Sequence, residues 1–254
     1  MKKNQSIKIY STVDELAGSF AEFLMQKVNE TPEDDSFSIA LSGGSTPKII
    51  YKYLSENFED KINWKKIKIF FGDERCVPLD SEDSNYRMAN ESLLKNISIP
   101  KENIFRINGE NNPVQEAARY EEVLKSNLPS DTGIPQFDLI LLGLGEDGHT
   151  ASIFPNQVNL FYSARLCEVA VHPQTKQKRI TLTGKIINNA KLVVFIVTGK
   201  NKANVLSKIM DVNKSKSVYP ASFVNPKNGK LTWFLDLEAS KMFDNKSSND
   251  VIGR

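Results

Sequence analysis

Phe137-Asp138-Leu139-Ile140-Leu141-Leu142-Gly143-Leu144-Gly145-Glu146-Asp147-Gly148-His149 is the stretch on which the fold turns. Its first six residues hold a single polar side chain, Asp138, and show no polar alternation. Such a short apolar run reads as a strand covered on both faces, which is the habit of a parallel sheet. The run passes directly into a loop with three glycines and one of the two histidines of the chain. In open parallel sheets, ligands bind beyond the carboxyl ends of the strands, so this loop lies at the functional edge.

The same alternation extends outward in both directions. Upstream, Ile7–Tyr10, Phe37–Leu41 and Ile67–Phe71 read as strands. Leu166–Val171, Ile180–Leu182, Lys191–Val197 and Leu231–Leu237 do so downstream. Between them, Thr12-x-x-Glu15 is a capping box for a helix burying Val13, Leu16, Ala17, Phe20, Leu24 and Val28. Pro47 is read as the first residue of a second helix, and Tyr86–Asn96, Val114–Ser126 and Asn201–Met210 carry helical spacing. The expected fold is α/β: a modified Rossmann-like, mostly parallel sheet with helices on both faces. It forms one domain, residues 1–254, with its core at about 7–240 and frayed ends at residues 1–6 and from Met242 onward.

Composition narrows the function. The 254 residues hold 33 Lys plus Arg against 31 Asp plus Glu, a net charge of only +2, which speaks against a nucleic-acid binder. The longest apolar runs are far too short to cross a bilayer. Met1-Lys2-Lys3 is followed by polar residues and not by a signal core. Cys76 and Cys167 lie far apart without metal-ligand spacing, so a cytoplasmic protein with free thiols is expected, with no metal and no cofactor. A monomer or homodimer is expected.

Three loops after strand runs carry candidate chemistry. Ser42-Gly43-Gly44-Ser45-Thr46-Pro47 combines glycines, hydroxyls and a helix start, a setting for an anion such as phosphate, but lacks P-loop spacing. Gly143-x-Gly145-x-x-Gly148 formally matches the dinucleotide fingerprint. That fingerprint needs a long helix next and an acid at the end of the following strand. Here Pro155 cuts the helix short and Glu168 lies inside its strand, so the loop is better read as a display for Asp147 and His149. An imidazole is suited to proton transfer near neutrality, and Asp147 either orients it or contacts a sugar hydroxyl. Asp73-Glu74-Arg75 ends a strand at the same edge, and Arg179 and Lys202 fall near strand junctions where a cation can meet phosphate. His172, beside Pro173, reads as structural or solvent-facing.

Taken together, these motifs resemble the 6-phosphogluconolactonases of the glucosamine/galactosamine-6-phosphate isomerase superfamily. The likeness rests on Ser42–Pro47, then Gly72-Asp73-Glu74-Arg75-Cys76-Val77-Pro78 with Ser84-Asn85-Tyr86, and then Gly143–Pro155. Arg179-Ile180-Thr181-Leu182-Thr183, Gly199-x-x-Lys202 and Pro220-Ala221-Ser222 follow in the family's order. The resemblance implies hydrolysis of 6-phospho-D-glucono-1,5-lactone to 6-phospho-D-gluconate in the oxidative pentose phosphate pathway, with a small sugar phosphate as the only partner. It also implies His149 as general base, with Gly43, Gly44, Ser45, Thr46, Arg75, Arg179 and Lys202 binding substrate. The division of the three cations between phosphate and sugar stays open. The rival within the superfamily, glucosamine-6-phosphate deaminase, places a glutamate five residues after the histidine, where this chain has Phe154. A non-catalytic sugar-phosphate sensor would keep the anion loop without needing Asp147 beside His149.

Overall fold

The computed structural model describes residues 4–130, 133–211 and 218–242. It opens with β1 (Gln5–Tyr10) and α1 (Val13–Glu30). The Glu15 N–H donates to Thr12 Oγ1 (3.1 Å), while the Ser11 N–H donates to the Glu15 carboxylate (3.0 Å), closing the capping box one residue early. The helix buries Leu16, Ala17, Phe20, Ala21, Leu24 and Val28, and Val13 stays half-exposed. There follow β2 (Phe37–Leu41), α2 (Ser45–Asn57), β3 (Ile67–Phe71), β4 (Asp73–Arg75), α3 (Asn85–Ser92) and α4 (Pro113–Asn127). The second half holds β5 (Leu139–Leu142), β6 (Cys167–Val171), β7 (Lys178–Leu182), α5 (Gly184–Ile187), β8 (Leu192–Val197), α6 (Ala203–Met210), β9 (Lys230–Asp236) and α7 (Leu237–Ser240).

Six strands form the main sheet in the order β1-β9-β8-β5-β2-β3, and every pair is parallel. Every residue of β2 and β5 is buried, as their unbroken apolar runs require. Phe195 of β8 and its register partner Trp233 of β9 stack at 3.9 Å with rings 5° apart. Burying such side chains contributes about 1.5–3 kcal/mol each, so this pair anchors one half of the core. From β2 the chain moves outward to β3, then returns to β5 and builds in the other direction through β8 and β9. The reversal lies between β2 and β5, and a crevice opens at their carboxyl ends. Ser42–Pro47 and Gly143–His149 leave those two strands.

Three corrections arise. Gln5 and Ser6 are not frayed but paired with Leu231 and Thr232 of β9; residues 1–3 and 243–254 lie outside the described residues. Pro47 is not the first residue of α2, which begins at Ser45; Pro still fits there because the early N–H groups of a helix have no internal partner. Asp73-Glu74-Arg75 does not close β3 but forms β4, in a second, antiparallel sheet of order β4-β7-β6. Gly72 joins the sheets: its N–H donates to Leu41 O (2.8 Å) and its carbonyl accepts from the Leu182 N–H (2.9 Å). Among the described residues no helix is long and apolar enough to cross a membrane.

Candidate active site

One cleft gathers the candidates. Gly43, Gly44, Ser45, Thr46, Arg75, His149, Arg179 and Lys202 all line it, and Asp147 stands behind His149. It encloses about 200 Å³, below the roughly 300–1,000 Å³ of sites for larger organic ligands, which suits one small molecule. The glycine turn after β5 leads into 3₁₀ turns at Pro155–Tyr162 and not into the long helix of a dinucleotide site.

Local chemistry builds the first wall. Buried Tyr51 of α2 grips the end of β2, accepting from the Ser42 N–H (2.9 Å) and donating to Ser42 O (2.8 Å). Gly44 then turns at φ 108°, a backbone setting that favours glycine, and no side chain caps α2. The first N–H groups of this helix are therefore left for a ligand, at the end where its dipole favours negative charge. Thr46 and Thr198 share a 2.7 Å hydrogen bond that ties this wall to the loop after β8.

The second wall comes from the small sheet. Arg75 of β4 lies directly opposite Arg179 of β7 in the antiparallel register. Like charges placed opposite each other destabilise a sheet, unless an anion sits between or above them. Neither arginine forms an ion pair with a carboxylate among the described residues. Half-buried Lys202, just before α6, is likewise unpaired there. Burial pulls the pKa of both Arg179 and Lys202 below their ordinary values, a cost that a bound anion would offset.

His149 completes the cleft. Its Nδ1 lies 2.6 Å from Asp147 Oδ1, and the same oxygen accepts the His149 N–H at 3.1 Å. Burial raises the Asp147 pKa, but the hydrogen bond and charge of His149 outweigh this and hold it below the usual carboxylate value. An anionic Asp147 keeps the proton on Nδ1, leaving Nε2 with its lone pair. A Cβ on Gly145 would come within 2.1 Å of His149 Nδ1, so only glycine leaves room for this pair.

Several cleft residues were not singled out from sequence. Asp73 is buried, accepting from Ser152 Oγ (2.6 Å) and from Asn85 Nδ2 (3.3 Å). Asn85 also donates to Asp73 O (2.9 Å) and packs so tightly on Gly43 that a Cβ there would lie 1.9 Å from its Oδ1. The Asp73-Glu74-Arg75 and Ser84-Asn85-Tyr86 motifs were visible, but burial at their centre was not. Thr198 follows β8, so the strand-end rule that pointed to the other loops could have found it. His172, expected to be structural or solvent-facing, is half-buried, and its Nδ1 accepts from the Gln174 and Thr175 N–H groups (3.3 and 3.2 Å).

Comparison with known proteins places the chain in a family. A family model described as glucosamine-6-phosphate isomerases/6-phosphogluconolactonase matches residues 11–233. The 6-phosphogluconolactonase of Haemophilus influenzae is 43% identical over 205 residues, covering 80% of this chain and 86% of that protein. That of Synechocystis sp. is 42% identical over 206 residues, covering 80% and 83%. The solved 6-phosphogluconolactonase from Trypanosoma brucei superposes with a TM-score of 0.82 at 31% identity, over 94% of this chain and 99% of that one. A monomeric glucosamine-6-phosphate deaminase, 22% identical with a TM-score of 0.78 over 93% and 99% of the two chains, shares the fold. By the extent of the family match and the identity to these relatives, the chain belongs to the glucosamine-6-phosphate isomerase/6-phosphogluconolactonase family.

Proposed function

We propose that the protein is a 6-phosphogluconolactonase, hydrolysing 6-phospho-D-glucono-1,5-lactone to 6-phospho-D-gluconate in the oxidative pentose phosphate pathway. The observation that carries this reading is the Asp147–His149 pair, at 2.6 Å, in one small cleft with Arg75, Arg179 and Lys202, which form no ion pair among the described residues. The phosphate docks among the α2 N-terminus, Arg75, Arg179 and Lys202, which fixes the lactone ring. Nε2 of neutral His149 takes a proton from a water molecule as the water oxygen bonds to the lactone carbonyl carbon. The resulting oxyanion collapses, the ring C–O bond breaks, and the imidazolium returns its proton to the departing ring oxygen. Asp147 holds the tautomer and steadies the transient imidazolium. Each named group comes from a single chain. The free thiols of Cys76 and Cys167 support a cytoplasmic setting.

Phe154 argues against the deaminase reading, because an apolar ring 4.8 Å from the His149 ring offers no second carboxylate. Acid release from freshly generated lactone, measured against its spontaneous hydrolysis with glucosamine 6-phosphate run alongside, tests the proposal. Acceleration with the lactone alone is expected. Binding of 6-phosphogluconate without acceleration would instead favour a sensor.

Lys202 gives a second test. Its cationic form binds the anion and its pKa is lowered, so binding weakens with rising pH earlier than the ordinary lysine value of 10.5 would give. The inhibition constant of 6-phosphogluconate is expected to rise on the alkaline side in the native protein. Lys202→Arg should flatten that limb, since guanidinium stays charged. Identical alkaline profiles would remove Lys202 from the anion site.

A further inference from the structure

We propose that Phe154 is a positioning residue whose buried ring fixes the plane of the His149 imidazole and the place of the Arg179 guanidinium together. The inference rests on the lactonase reading for its kinetic consequence. A hydrogen bond at Nδ1 fixes one atom of the imidazole and leaves the ring free to swing about that contact. A second restraint is needed to hold the plane, and hence the direction of the Nε2 lone pair.

Phe154 supplies it. Its side chain is wholly buried, with its ring centre 4.8 Å from that of His149 at an interplanar angle of 51°. The same ring lies 5.6 Å from the Arg179 guanidinium carbon, within cation–π reach. The hydrogen bond of Arg179 to Ser152 Oγ is long, at 3.5 Å, and is a weak restraint, so the contact with the aromatic ring carries more of the positioning. Phe154 is itself fixed. The edge of His172 meets it at 5.1 Å and 73°, its carbonyl accepts from the Gln157 N–H at 2.8 Å, and the Ile153 N–H closes a turn onto Thr150 O at 3.0 Å. One side chain therefore sets the distance between the base and a cation that holds the substrate. Being apolar, it also offers the imidazole no competing hydrogen bond, so Nε2 is reserved for water.

The test compares the intact native chain with Phe154→Leu, and with Phe154→Met should the leucine variant fail to fold. Far-UV circular dichroism and melting temperature establish the fold of each. With lactone, kcat is expected to fall about tenfold, since small misplacements of reacting groups cost this much or more. Inhibition by 6-phosphogluconate is expected to weaken several-fold through Arg179, and this weakening should vanish in an Arg179→Ala background. The tautomer is read by imidazole ¹⁵N shifts, which are tractable with only two histidines in the chain. His149 should show a dominant Nδ1–H form in the native protein and averaged signals in the variant. Native-like kcat and inhibition constant in the folded variant would overturn the proposal. So would an unchanged His149 spectrum, or additive effects on binding with Arg179→Ala. The spectroscopic readout needs no substrate, so it separates a failure of Phe154 positioning from a failure of the lactonase reading.

Discussion

His149→Ala is expected to lower kcat on the lactone by about 10²–10⁴-fold, the usual worth of general acid–base assistance, while inhibition by 6-phosphogluconate changes little. The asymmetry follows from the cleft. In the proposed binding mode the anion meets Arg75, Arg179, Lys202 and the start of α2, which line the cleft, and none of these contacts depends on the imidazole. Asp147, whose pKa is held below the usual carboxylate value, stays anionic to steady the ring of the native protein. Rates of acid release and the inhibition constant, measured on both proteins, check the two halves of this expectation. Near-native turnover in the alanine variant would remove His149 from the base role.

Glu74→Ala should produce the largest loss of stability. Glu74 lies on the face of β4 away from the cleft and is buried. Its carboxylate accepts from the N–H groups of Arg75 (2.7 Å), Asn85 (2.7 Å) and Tyr86 (2.8 Å), and from Ser84 Oγ (3.1 Å). Burial raises the pKa of this carboxyl, against the pull of those donors. Alanine would strand all of the donors, each costing about 1–3 kcal/mol when left unsatisfied. Water entering the space left by the side chain would satisfy part of them again, so a net loss of about 3–5 kcal/mol, or a melting temperature lower by about 10 °C or more, is expected. Activity should fall as well, because the same carboxylate fixes Asn85 behind Gly43 and the backbone of Arg75. Glu74→Gln keeps one acceptor oxygen and should lose less. A thermal shift of about 2 °C or smaller for the alanine variant would contradict this role.

How far the chain could be read in advance depended on distance along it. Phe137–Leu142 and Lys191–Val197 are apolar throughout because both faces of their strands are covered, and that need is written locally in the residue types. The capping box at Thr12 and the glycines at the β2 and β5 ends are likewise local requirements. Asp73-Glu74-Arg75 was different. Its place at the end of a strand run was legible, but only the pairing of β4 with β7 buries the two acids. Pro47, within the first turn of α2 and not at its start, shows how little a single residue constrains a helix boundary.

Read alone, the order of residues was enough to set the alternation of strands and helices, the glycine-rich loops at the strand ends, and the closeness of His149 to Asp147. These are short-range matters, governed by hydrophobic period, turn geometry and a spacing of two residues. Folding alone brought Arg75 opposite Arg179, closed Phe154 over both His149 and Arg179, and set Asn85 against Gly43. Those contacts join segments whose register is chosen by how two sheets pack and bury their faces together, and neither segment encodes that choice on its own.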